Sequence, residues 1–128
     1  MAKEDFGNEY LYAEDLLSKG RYQTVKAKIE KVIPPGTVRS ADGKPINKSI
    51  LQFEGKKKLL VLCKTNESVL IYACGGQQNE WPGKEVTIAV REVDAFNDQV
   101  VAIRIMPPPG VKVRKALLKR LGKEPSYS

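Results

Sequence analysis

The chain has 128 residues, enough for one domain around a single modest core and too few for two. Hydrophobic residues make up 41% and charged residues 29%, an ordinary globular composition, and no apolar run approaches the roughly 20 residues that a membrane-spanning helix needs. Histidine is absent, which removes the commonest general base and metal ligand, and 22 Lys and Arg against 15 Asp and Glu leave a net charge of +7.

The charge is unevenly spread. Residues 1–20 carry 2 basic and 5 acidic side chains, residues 21–110 carry 14 and 9, and residues 111–128 carry 6 and 1. A basic body with a more basic tail attracts polyanions and speeds encounter with them. The opening MAKEDFGNEY lacks the apolar stretch of an export signal, and Cys63 and Cys74 are too few for a disulfide framework. A reduced cytoplasm is the expected compartment.

In chain order, Tyr10, Leu11, Ala13, Leu16 and Leu17 fall at mostly helical spacing and Gly20 stops the run, which predicts a short N-terminal helix. From Tyr22 the period becomes two: Val25, Ala27 and Ile29 alternate with Lys26, Lys28 and Glu30, the pattern of a half-buried strand that reaches Ile33 before Pro34-Pro35-Gly36. Asp42-Gly43 centres a turn within residues 39–45. A second strand over 47–54 places Leu51 and Phe53 on one face and Lys48, Ile50 and Gln52 on the other. After a turn at Gly55-Lys56, the run KLLVLCK is apolar on both faces and predicts a central third strand. Thr65-Asn66-Glu67 is a helix-start signal, and the following SVLIYAC with its terminal Gly75-Gly76 reads as a buried helix. Val86, Ile88 and Val90 alternate with Thr87, Ala89 and Arg91 in a fourth strand. Phe96-Asn97-Asp98 turns the chain into a fifth strand, Val100 to Met106, which ends at Pro107-Pro108-Pro109-Gly110. In the tail, Val113, Ala116, Leu117 and Leu121 share one helical face among Lys and Arg.

Five strands with a helix between the third and fourth predict an all-β fold with minor helices: a five-stranded Greek-key OB-fold barrel with short helices at each end. Another small barrel or an α+β sheet has the same element order. The expected organisation is a helical segment over 1–20, the barrel over 21–108 and a basic helix or tail over 109–128.

The runs Phe53-Glu54-Gly55-Lys56-Lys57-Lys58, Leu60-Val61-Leu62, Lys64-Thr65-Asn66, Trp81-x-Gly83-Lys84 and Ile103-Arg104-Ile105 together resemble a family of small bacteriophage proteins with an FxGKxK…LVLNKTN…WxGK…IRV pattern, similar to OB-fold single-stranded DNA-binding proteins. The resemblance covers about residues 44–106 and departs at Cys63, where the pattern has Asn. It implies low-specificity binding of single-stranded nucleic acid, with DNA favoured and RNA left open by the residues, during phage replication or recombination in the host cytoplasm.

The residues offer no catalytic constellation. Cys63 and Cys74 lack zinc-site spacing and sit in apolar runs, the glycines do not match a phosphate-cradling loop, and Glu80, Glu85, Glu92, Asp94 and Asp98 are scattered. No catalysis, metal or cofactor is expected. For binding, Lys26 and Lys28 share a face of the first strand, and Lys48 and Gln52 share a face of the second, which together predict a basic stripe. Arg39 and Lys44 lie in the loop joining strands 1 and 2, and Phe96 lies in the loop joining strands 4 and 5, where OB-folds contact oligonucleotides. Lys58 ends the Lys56-Lys57-Lys58 hairpin, which serves equally to block edge pairing; Arg91 lies on the fourth strand; Lys112 and Arg114 open the basic tail. Tyr22 and Phe96 are the stacking candidates, whereas Phe53 and Trp81 read as packing. Single-stranded nucleic acid is the expected partner, with no membrane role. The alternative is an interaction module whose basic tail docks a replication or host protein. The acidic N-terminal segment could also meet a basic face of a second copy as a homodimer, and the residues leave that open.

Overall fold

The computed structural model of the chain describes residues 9–40, 42–95 and 97–125. Five strands carry the architecture: β4 (Val25–Ile33), β5 (Ile50–Phe53), β6 (Lys58–Val61), β7 (Glu85–Ala95) and β8 (Asp98–Met106). They pair in the order β6-β5-β4-β7-β8 and curl into an antiparallel half-barrel. Helix α1 (Lys64–Cys74) joins β6 to β7, and α2 (Lys115–Arg120) follows β8.

The alternation in β4 does what it promised up to Ile29. Ala27 and Ile29 are buried, and Lys26, Lys28 and Glu30 are exposed. The register against β5 then shifts between Ile29 and Lys31. This bulge inserts one residue and reverses the phase, so Val32 pairs with Leu51 against the main core while Ile33 pairs with Ile50 on the other face. A bulge also bends and twists the strand, which a curled sheet requires.

The second strand is shorter than its apolar pattern suggested, and Lys48 lies before it. Ile50 occupies the outer face, as expected, yet it is fully buried. The segment between β4 and β5 folds back over the sheet, and Val38, Ile50 and Leu59 form a second small core with Tyr10, Ile33, Ile46 and Val61. This cover explains why β6 is apolar on both faces although it is not central in the sheet. Leu60 points into the main core, and Leu59 and Val61 point into the second.

Helix α1 forms where the sequence placed it and stops at Gly75, whose φ is 125°. Its start is not capped by a side chain; Cys63 is the N-cap. Asn66 instead turns inward and reaches β8, its Oδ1 accepting from the Ile105 N–H at 2.9 Å and its Nδ2 donating to the Ile103 carbonyl at 3.1 Å. Trp81 is 1% exposed and donates its indole N–H to the Gly75 carbonyl at 2.8 Å, packing as predicted. In α2, Leu117 and Leu121 are buried, but Ala116 is exposed.

The described part of the N-terminal segment is not an α-helix. Strand β1 (Glu9–Tyr10) adds in parallel to the free edge of β6, a 3-10 turn covers Ala13–Leu16, and β2 (Leu17–Ser18) forms a hairpin with β3 (Arg21–Tyr22). Lys19 and Gly20, with φ of 52° and 78°, make its two-residue turn, so Gly20 serves a hairpin rather than a helix stop. The helical spacing was coincidental: Leu11 and Leu16 both pack on the main core, and the β6 edge offered backbone partners that a lone helical turn could not match. The 3-10 turn comes within 8 Å (Cα–Cα) of β8, so this segment straps the open side of the half-barrel.

Candidate nucleic-acid interface

The basic residues singled out from the sequence do not form one stripe. Lys26 and Lys28 are exposed on β4 opposite Thr87 and Glu85 of β7. Lys48, also exposed, precedes the β5 residue that pairs with Ile33 at the far end of β4. Between them, Gln52 Nε2 donates to Glu30 Oε1 at 3.4 Å. The outer face is therefore a mixed-charge surface.

Several of the other candidates hold the fold together. Arg39 donates to the Gly43 carbonyl at 2.8 Å and bridges Pro45, bracing its own loop. Lys44 is exposed on that loop, beside an Asp42 carboxyl held below its ordinary value by hydrogen bonds from the Ser40 hydroxyl and the Lys44 amide. The Lys58 ammonium lies 2.7 Å from Asp15 and lowers that carboxyl's pKa, chiefly by hydrogen bonding. Arg91 donates to the carbonyls of Leu121 and Gly122 at 3.2 and 2.8 Å, satisfying the open end of α2 and opposing its dipole. Tyr22 is half-buried in β3, in a recess shared with Arg91 and Glu124. Lys112 and Arg114 are exposed and lead into Lys115, Lys119 and Arg120. Phe96 lies outside the described residues.

The structure assembles a cleft of about 560 Å³ that the sequence did not single out. It lies between the β4–β5 loop, represented by Ser40 and Ile46, and the Val101–Arg104 stretch of β8, with Tyr10 and Tyr12 of the N-terminal strap along it. Tyr12 is 58% exposed. The Tyr10 hydroxyl is buried with no hydrogen-bond partner among the described residues, and burial raises its pKa. Arg104 is fixed in the wall: its Nε donates to the Arg120 carbonyl at 3.2 Å, and its Nη1 approaches Cys63 Sγ at 3.7 Å and the Ile103 carbonyl at 3.2 Å. The bond to the Arg120 carbonyl ties this wall to the C-terminal end of α2.

Tyr10, Tyr12 and Arg104 are not among the residues that the sequence singles out for binding: helical spacing over 9–18 absorbs the tyrosines, and Arg104 lies within the fifth strand. The usable signal was Tyr10-Leu11-Tyr12 itself, since residues two apart share a face in extended chain. Among the described residues no group of three His, Cys, Asp or Glu side chains is placed to hold a metal ion, and no helix is long and apolar enough to cross a membrane.

Comparison of the chain with models of known protein families, with curated proteins and with solved structures yields no match.

Proposed function

We propose that this chain is an OB-fold protein that binds single-stranded nucleic acid, DNA in the first instance, with little sequence preference and without catalysis. Strand pairing in the order 3-2-1-4-5, with a helix between the third and fourth strands, supports the fold reading. The observation that carries the function is the cleft between the loop joining the first two barrel strands and the last strand. It combines an exposed Tyr12, a fixed Arg104 and an adjoining basic helix. Single-strand sites of this kind join a positively charged track for phosphates to aromatic faces on which bases stack. The phage replication or recombination setting implied by the sequence resemblance belongs to the same proposal.

Fluorescence anisotropy with labelled single strands of graded length, beside matched duplex and across a salt series, tests it. Single strands are expected to bind more tightly than duplex, with affinity falling steeply as salt rises. Tyr12→Ala is expected to cost about 1–3 kcal/mol of binding through lost stacking. Because Tyr12 is exposed, its melting temperature should hardly move. Equal weak binding to single strands, duplex and heparin, unaffected by Tyr12→Ala, would overturn the proposal and redirect the search to acidic protein partners of the α2 face.

A further inference from the structure

The outer edges of the curled sheet find partners in turn. β6 meets β1 at Lys58 and Leu59, and the outer edge of β7 meets the tail, where Glu92 and Lys123 exchange backbone bonds of 2.7 and 3.0 Å. At β8 the partner is a side chain. The Asn66 carboxamide accepts from the Ile105 N–H and donates to the Ile103 carbonyl, so the odd-numbered residues of this strand turn their backbone groups away from β7. β8 pairs with β7 residue for residue from Asp98 to Met106, without a bulge, and the same direction therefore holds two residues earlier. There the Val101 carbonyl and the Ile103 N–H repeat the pair that Asn66 occupies, and no described residue bonds either of them on this edge. Both residues line the cleft beside Tyr12, and Val101 is 38% exposed.

A carboxamide presents an acceptor and a donor side by side in one plane. The base-pairing edge of every nucleobase does the same: a ring nitrogen or keto oxygen accepts, and the neighbouring N–H donates. An edge strand that takes the Asn66 amide at one position repeats the same groups at the same spacing two residues along. We propose that the Val101 carbonyl and the Ile103 N–H read the base-pairing edge of an unpaired base held in the cleft. This inference rests on the nucleic-acid reading and deepens it. The carbonyl accepts from the base N–H, and the Ile103 N–H donates to the adjoining ring nitrogen or keto oxygen. All four bases offer that pair, so the contact adds affinity with little sequence preference. In a duplex the pair is already engaged, so the contact rejects paired strands, a distinction that phosphate contacts do not themselves make.

Fluorescence anisotropy of the full chain with oligothymidylate of about 12 nucleotides, beside the same strand built from N3-methylthymidine, tests the contact. The methyl group removes the base donor and leaves the phosphates and the ring faces in place. The methylated strand is expected to bind about three- to tenfold more weakly, the loss of one hydrogen bond. Val101→Pro sets a ring carbon on the outer edge while the ladder to β7 keeps its bonds, because the Val101 N–H points away from β7. In that variant the plain and methylated strands should bind equally, at the lower affinity. A thermal melt shows whether the variant folds, and if it does not, the comparison of the two strands on the wild-type chain decides alone. Equal affinity of the wild type for both strands, with single strands still preferred over duplex, would overturn this contact and leave the nucleic-acid reading standing. A folded Val101→Pro chain that still separates the two strands would also overturn it. Absence of any preference for single strands over duplex would remove both.

Discussion

Replacing Asn66 with alanine probes how the open side of the half-barrel is held. Asn66 is 2% exposed, and its amide makes two hydrogen bonds to β8, accepting from Ile105 N–H and donating to the Ile103 carbonyl. Ile105 is itself 1% exposed, so water has no ready access to the amide left behind. An orphaned buried donor costs about 1–3 kcal/mol, and losing the bond to the carbonyl adds about 1 kcal/mol. The expected loss is therefore about 2–4 kcal/mol, which at this chain length lowers the melting temperature by about 8–16 °C. Asn66→Asp keeps the acceptor but turns a carboxylate oxygen toward the Ile103 carbonyl, so at neutral pH it should be no better than alanine. Urea unfolding gives the free energies, and hydrogen exchange at the Ile105 amide shows whether the loss is local to β8. A change below about 0.5 kcal/mol, with Ile105 protected as in the wild type, would refute the reasoning. It would mean that the strand relaxes or hydrates at little cost.

Trp81→Phe removes the indole bond to Gly75 and leaves a void at a position 1% exposed, for an expected loss of about 1.5–3 kcal/mol in denaturant unfolding. Arg91→Leu leaves the Leu121 and Gly122 carbonyls without their guanidinium partner; limited proteolysis is expected to nick the tail about ten times faster while the barrel stays intact. For Asp15, the hydrogen bond from Lys58 puts the folded pKa below the ordinary 3.8. The stability it contributes is complete above the unfolded value and is lost as pH falls through the lowered folded one. Acid melts of wild type and Asp15→Asn should therefore converge at low pH, and curves that stay parallel from about pH 7 to pH 2 would contradict the contact.

The local patterns that proved reliable were those whose cause is local. Period-two alternation marked β4 up to Ile29 and β7 because one face of each meets the core, and the glycines at 75 and 76 marked the end of α1. The buried role of Trp81 was also legible. The site was less so. Exposed lysines on β4 were placed correctly, but their assembly with Lys48 into a stripe was not, because β5 begins only at Ile50. Arg39, Lys58 and Arg91 looked like free cations in sequence, yet each has a partner distant enough in the chain, or folded back by a turn, that no short window reveals it.

What the sequence determined by itself was a basic, mostly β chain with five strand segments and a helix between the third and fourth, since composition and periodicity record how each segment divides itself between core and solvent; that helix is buried on one face only, with Ile71 and Tyr72 exposed. Tertiary structure alone decided which edges met. It turned Glu9–Tyr10 into a strand on β6, buried Ile50 beneath the 34–47 loop, sent Asn66 across to β8 and aligned Tyr10 and Tyr12 with Arg104. Each of those outcomes depends on backbone groups and apolar faces left unsatisfied elsewhere in the chain, and the free energy of satisfying them outweighs local preference.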